Sequence, residues 1–152
     1  MLTNNKLLIA FLGLTACSGD LPDQVFVPGP SFSEALAVRT EQGDSARVTV
    51  GSPLVLYGLR FRGPWIQVAR NSLPEEACWT LSPPDSLGEE IAGSVRWTAH
   101  PPEAQFNTQL RLDQTREVRF RRPGLYLLTA HSSRWCSDSY IGDTVWVEVT
   151  AQ

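Results

Sequence analysis

The stretch Thr115–His131, TREVRFRRPGLYLLTAH, decides the fold of this chain. Val118 and Phe120 share one face of an alternating segment whose other face is charged, which is the pattern of a half-buried β-strand. Pro123-Gly124 then predicts a tight turn, because proline suits the first central position of a type II turn and glycine the second. A second strand follows, and its inward face is predicted to carry Tyr126, Leu128 and Ala130.

The same alternation recurs on both sides of this stretch. Downstream, Thr144–Thr150 has Trp146 on one face and three valines on the other, Val145, Val147 and Val149. Upstream, alternation predicts strands at 47–50, 54–61, 94–98 and, more weakly, 106–112. Gly63-Pro64 is predicted to end the 54–61 strand. About seven short strands separated by Pro and Gly turns predict an all-β fold, an antiparallel β-sandwich.

The strand pattern resembles that of bacterial immunoglobulin-like domains, including the PKD type. The residues that carry the resemblance are Val95-x-Trp97, Val118-x-Phe120-x-x-Pro123-Gly124-x-Tyr126-x-Leu128-x-Ala130 and Val145-x-Val147-x-Val149. The resemblance covers about Arg47 to Thr150 and implies that the Pro-Gly-x-Tyr corner joins the two sheets. Segment 62–93, before the Trp97 strand, departs from the family pattern as a long insertion.

The chain begins with a candidate export signal. Lys6 precedes the apolar run Leu7–Leu14, which is far shorter than the ~20 residues of a membrane-spanning helix. Leu14-Thr15-Ala16-Cys17 resembles the lipobox of bacterial lipoprotein precursors, which implies cleavage before Cys17 and a diacylglycerol on its thiol. The alternative is an ordinary secretory signal. Ser18 follows the cysteine where an inner-membrane lipoprotein of proteobacteria would carry Asp, so the resemblance favours the outer membrane.

These features predict three regions. Residues 1–16 form the lipoprotein signal peptide, residues 17–46 a lipid-anchored flexible tether, and residues 47–152 the immunoglobulin-like domain. The tether is predicted because prolines and a glycine interrupt it, Pro22, Pro28, Gly29 and Pro30. A tether of that length would hold the domain several tens of ångströms from the membrane.

The two remaining cysteines predict a disulfide. With Cys17 assigned to lipid, Cys78 and Cys136 are left in an exported chain, where oxidation is the normal outcome. The sandwich resemblance puts both at one end of the domain, outside the core. Four aromatic residues fall in or beside the joined segments, Trp65, Trp79, Trp135 and Tyr140. They form either a binding platform for sugars or peptides or a small packed cluster over the disulfide.

No catalytic or metal-binding motif stands out in the sequence. His131, Ser132, Ser133 and Asp138 could be arranged as a hydrolytic site, but the surrounding sequence lacks a nucleophile elbow. Cys136 with His131 and Asp138 makes a poor metal site, because the cysteine is better used in a disulfide. We therefore expect no catalytic residues, no metal and no cofactor.

The net charge of the chain and the predicted lipid anchor together indicate the class of function. The chain has 152 residues and a formal net charge of −3, which argues against general nucleic-acid binding. We expect a lipid-anchored envelope protein whose domain binds a protein or glycan ligand without catalysis. The alternatives are a passive structural or assembly subunit of an envelope complex and, less favoured, a hydrolase.

Overall fold

The computed structural model describes residues 22–83, 88–109 and 111–152. The predicted signal peptide and the lipobox with Cys17 lie outside these residues. Across the described ranges, no helix has the length and apolar character needed to cross a membrane.

The described chain folds as two β-sheets packed face to face. The strands are β1 (Gln24–Thr40), β2 (Ser45–Thr49), β3 (Leu54–Ala69), β4 (Glu89–Glu90), β5 (Arg96–His100), β6 (Ala104–Phe106), β7 (Arg116–Phe120), β8 (Gly124–Ser133) and β9 (Tyr140–Thr150). The first sheet, sheet A, has the order β1-β3-β7-β6, with β4 also pairing with β3. The second, sheet B, has the order β2-β9-β8-β5. The predicted all-β sandwich is confirmed.

Alternating side chains from both sheets form the core. The predicted inward faces are confirmed, because their apolar members are buried: Val118, Phe120, Tyr126, Leu128, Ala130, Val145, Val147 and Val149. Trp146 lies between the valines and is 48% exposed, as the period of two predicts. Trp97 is half-buried against the core, and its indole N–H donates to the Ala92 carbonyl at 2.8 Å.

The Pro-Gly corner joins the two sheets, as predicted. β7 belongs to sheet A and β8 to sheet B, so the turn between them carries the chain across the sandwich. Gly124 has φ +151°, a conformation that favours glycine. The Tyr126 hydroxyl donates to the Arg122 carbonyl at 3.1 Å. Burial raises the pKa of Tyr126, so the hydroxyl stays protonated and continues to donate.

The predicted tether is wrong for residues 24–40, which form the 17-residue strand β1. β1 pairs antiparallel with β3, and its inner face buries Leu36, Val38 and Thr40. Pro28 is tolerated because β1 is an edge strand and its register shifts between Pro28 and Ser33. The domain therefore begins by Gln24 rather than at residue 47.

Part of the predicted insertion 62–93 is strand and core instead. Gly63-Pro64 does not end the strand, because β3 continues to Ala69 by pairing with the first half of β1. At the other end of the segment, Ile91 and Ala92 are buried in the sandwich. The connection 70–88 is what remains of the insertion.

Two smaller expectations also change. The weak strand predicted at 106–112 is instead the short β6, which ends at Phe106 after pairing with β7. β2 pairs with β9 in parallel, so sheet B is not fully antiparallel. β1 belongs to sheet A and β2 to sheet B, so the chain crosses the sandwich between them. β2 then joins the edge of sheet B beside β9 and runs in the same direction.

Candidate functional site

The disulfide joins two segments at one end of the sandwich. Cys78 lies in the 70–88 connection and Cys136 in the loop between β8 and β9, with their Cα atoms 6.1 Å apart. This confirms the predicted pairing and its position outside the core. We call the region formed by residues 22–34, 62–83 and 133–140 the disulfide end.

Two of the four predicted aromatic residues pack against each other at this end. The Trp65 and Trp135 rings meet edge to face with centroids 5.2 Å apart, and Phe32 adds a second edge contact to Trp65 at 4.9 Å. Trp79 instead lies under the Arg70 guanidinium, 5.3 Å from its ring centre. The three tryptophans are half-buried, whereas Tyr140 is 69% exposed. The four residues are therefore dispersed, and Trp65 with Trp135 forms the packed cluster.

A buried ion pair ties this cluster to both sheets. The side chains of Glu34 in β1 and Arg62 in β3 are 4% and 9% exposed, and their charged atoms are 2.5 Å apart. The same carboxylate accepts the Trp135 backbone N–H at 2.8 Å. The guanidinium also donates to the Ser133 carbonyl at 3.1 Å and lies over the Trp135 ring. One ion pair thus connects sheet A to the β8–β9 hairpin of sheet B.

Sequence reasoning missed this ion pair because it placed Glu34 in the tether. A signal was present, since Glu34 falls in a period of two with residues that are buried, Leu36, Val38 and Thr40. That alternation identifies a strand whose inner face starts with a carboxylate. The position of Arg62, opposite Glu34, depends on the β1–β3 register.

A groove lies on the outer face of sheet A, near the disulfide end. We call it the outer groove; its volume is about 570 Å³. It is lined by Phe26, Ser33, Ala35, Phe61, Arg62, Gly63, Pro64, Trp65 and Pro83. Aromatic and proline side chains dominate this lining, and its residues with polar side-chain groups are Ser33, Arg62 and Trp65. Phe26, Ser33, Ala35 and Phe61 were not predicted as site residues, because they come together only when β1 and β3 pair.

The free edge of β1 is covered at several points. The Phe26 N–H donates to the Thr80 carbonyl at 2.9 Å, and the Val38 N–H donates to Oδ2 of Asp143 at 2.8 Å. Pro28 has no N–H to offer. An exposed edge strand recruits further strands through unpaired backbone groups, so these features limit such pairing along β1.

The residues weighed for hydrolysis are distributed over both faces of β8 and the loop that follows it. His131 and Ser132 are neighbours in β8, so their side chains leave opposite faces of sheet B, and Ser132 is buried. Ser133 shares the strand face of His131, and Asp138 lies exposed in the loop between β8 and β9. In the described ranges, no group of three or more His, Cys, Asp or Glu side chains is placed to hold a metal ion.

Comparison with known proteins leaves the function to be argued from the site. No protein-family model, curated protein or solved structure matches this chain. A β-sandwich by itself does not select a ligand. The outer groove and the disulfide end are therefore the observations from which a function is proposed.

Proposed function

We propose that the chain is a lipid-anchored protein of the bacterial outer membrane whose sandwich domain binds another envelope protein, without catalysis. The lipobox-like residues Leu14–Cys17 support the anchor. The Cys78–Cys136 disulfide supports export, because such bonds persist in oxidising compartments.

The outer groove is the observation that carries the binding function. Its volume of about 570 Å³ lies within the roughly 300–1,000 Å³ of ligand clefts. Phe26, Phe61 and Trp65 give it an apolar lining that loses little side-chain entropy when a partner is bound. The groove therefore suits apolar side chains presented by a partner segment.

A protein partner fits this lining better than a glycan does. A bound sugar needs several hydrogen bonds to its hydroxyl groups, in addition to stacking on aromatic rings. Of the polar residues that line the groove, Ser33 is exposed, the Arg62 guanidinium is held by Glu34 and the Ser133 carbonyl, and the Trp65 indole Nε1 is buried. Few polar groups remain for sugar recognition, so an extended apolar peptide segment is the favoured ligand.

The alternative is a passive structural or assembly subunit. Assembly by strand addition would use an open sheet edge, and the covered edge of β1 disfavours it there. A hydrolase is disfavoured because the sequence around Ser132 and Ser133 lacks a nucleophile elbow, and Ser132 leaves the face of sheet B opposite to His131.

Photo-crosslinking from the groove tests the binding function. A photoreactive amino acid at Ser33 should give a discrete protein adduct in cells that produce the chain. Ala35→Arg should abolish the adduct, because it places a long charged side chain in the groove. Ala37→Arg is the matched control, since Ala37 is also exposed, lies two residues along the same strand face and does not line the groove. An adduct lost equally in both variants, or absent from the start, would contradict binding at the groove.

The anchor is tested separately. The wild-type chain should incorporate a fatty-acid probe and fractionate with membranes, whereas Cys17→Ser should do neither. Equal labelling of the two proteins would show that Cys17 is not the lipidated residue.

A further inference from the structure

The described chain begins at the disulfide end of the domain. The first strand pair is Gln24 with Ala69, at the start of β1 and the end of β3. Just before it, the Asp23 carbonyl accepts the Arg70 backbone N–H at 2.8 Å, which fixes the chain to this end. Any anchor at Cys17 therefore joins the domain here.

The distance from Cys17 to this end is limited by chain length. Five residue steps separate Cys17 from Pro22 (22 − 17), and a fully extended chain covers at most about 3.6 Å per step. Pro22 therefore lies within about 18 Å of the Cys17 Cα. The tether predicted from sequence would have allowed several tens of ångströms, but residues 24–40 are held in β1.

We propose that part of the disulfide end, the surface formed by Ile66, Arg70, Trp79 and Leu81, is a membrane-contacting surface, which lies against the phospholipid headgroups of the bilayer that holds the Cys17 acyl chains. None of these four residues lines the outer groove. This inference rests on the lipid anchor of the proposed function. It goes beyond that function because it orients the domain and assigns a second partner, the lipid surface, to a defined set of side chains.

The side chains at this end suit the membrane interface. Ile66 and Leu81 are 42% and 51% exposed, although both are large and apolar. They lie near the start of β1, because Ile66 pairs with Val27 and Leu81 follows Thr80, which bridges to Phe26. The stacked Arg70 and Trp79 lie at the same end, and tryptophan and tyrosine concentrate at the headgroup level of membranes. The short span and the side chains of Ile66, Arg70, Trp79 and Leu81 together favour contact with lipid, although the disulfide end also exposes the carboxylates of Asp23, Glu75 and Glu76.

The opposite end of the sandwich provides an internal reference. Leu125 near the start of β8 is 59% exposed, similar to Leu81. It pairs with Glu148 on β9, next to the exposed Arg47–Glu148 ion pair, and lies at the end of the hairpin away from Ser133 and Tyr140. The two leucines therefore differ mainly in which end of the domain they occupy.

The test places a photoreactive amino acid at Leu81 or at Leu125 in the full chain. Each protein is produced in a diderm bacterium that carries radiolabelled phospholipid, and adducts are measured after irradiation. A fatty-acid probe reports the anchor in the same cells, and a non-reducing gel reports the Cys78–Cys136 bond as a check of folding. We expect a phospholipid adduct from position 81 and only background from position 125.

The outcomes separate the two proposals. An anchored, disulfide-bonded protein with no adduct at position 81, or with equal adducts at both positions, would overturn the membrane-contacting surface and leave the anchor intact. A protein without the fatty-acid probe would overturn the anchor and, with it, this orientation. Insertion of about twenty Gly and Ser residues after Asp20 should lower the yield at position 81, because a flexible linker lets the domain move away. An unchanged yield would contradict the role of the short span.

Discussion

The sandwich core and the disulfide end are stabilised by different means. In the core, apolar side chains such as Phe120 and Leu128 are almost fully buried and pack against other apolar side chains. At the disulfide end, a buried ion pair, edge-to-face aromatic rings and a covalent bond hold three segments together. Each of these contacts joins parts of the chain that lie far apart in sequence.

The tryptophans show the difference most clearly. Trp97 packs on the core and its indole N–H is satisfied by the Ala92 carbonyl. Trp65 and Trp135 bury their indole Nε1 atoms without an acceptor in the described part of the chain. A buried, unpaired donor costs roughly 1–3 kcal/mol, so Trp65 and Trp135 are less favourably placed than Trp97.

The largest expected effect is on the core. Phe120→Ala should lower the free energy of unfolding by about 3–5 kcal/mol, because it removes a fully buried aromatic ring and leaves a cavity. Trp146→Ala is the control and should change it by about 0.5 kcal/mol or less, since Trp146 is on the exposed face of β9. Chemical denaturation measures both. Similar losses in the two variants would show that the faces of the sandwich are misassigned.

Reduction of the disulfide should be the next largest effect, and it should be local. Release of a loop with a sequence separation of 58 lowers the free energy of unfolding by up to about 4 kcal/mol in the chain-entropy model. Hydrogen exchange should speed up in residues 62–83 and at the β8–β9 loop, while the amides of β8 and β9 next to the core valines stay protected. Cys78→Ser with Cys136→Ser should behave like the reduced protein. Collapse of all sheet structure would show instead that the core depends on the bond.

The buried ion pair should show strong coupling between its members. Glu34→Leu should cost about 3 kcal/mol, because it leaves the Arg62 charge buried without its partner. Adding Arg62→Met should recover most of this loss, since apolar residues of similar volume often replace a buried ion pair without cost. A double-mutant cycle by denaturation measures the coupling. If Glu34→Leu with Arg62→Met is no more stable than Glu34→Leu alone, the hydrogen bonds to Ser133 and Trp135 contribute more to stability than the attraction between the two charges.

The smallest expected effect is at the corner between the sheets. Tyr126→Phe should cost about 1 kcal/mol through loss of the hydrogen bond to the Arg122 carbonyl. Because burial raises the pKa of Tyr126 above its ordinary value of 10.0, the unfolded chain ionises first as pH rises. The wild-type protein should therefore lose stability above about pH 10, and the difference from Tyr126→Phe should narrow there. If the difference in unfolding free energy between the wild-type protein and Tyr126→Phe stays constant up to pH 11, ionisation of Tyr126 does not control this loss of stability.

The core was predictable from sequence because its signals are local. Val118 and Phe120, like the three valines of β9, alternate with polar residues over five to seven positions, and Pro123-Gly124 marks the turn between strands. The disulfide was predictable too, since only two cysteines remain once Cys17 is assigned to lipid. The candidate site was predicted only in part, since Trp65 belongs to it and Phe26, Ser33, Ala35 and Phe61 were missed.

What the sequence by itself determined is the sandwich, its inward faces, the tight turn at Pro123-Gly124 and the cysteine pair, because each depends on spacing within a short segment or on simple counting. Only the tertiary structure decided that residues 24–40 are a strand, that β3 continues past Gly63-Pro64, and that Glu34 meets Arg62. Proline and glycine disfavour regular structure locally, and pairing along a long partner strand outweighs that preference. The energy of such pairing resides in contacts between distant segments, which no local pattern encodes.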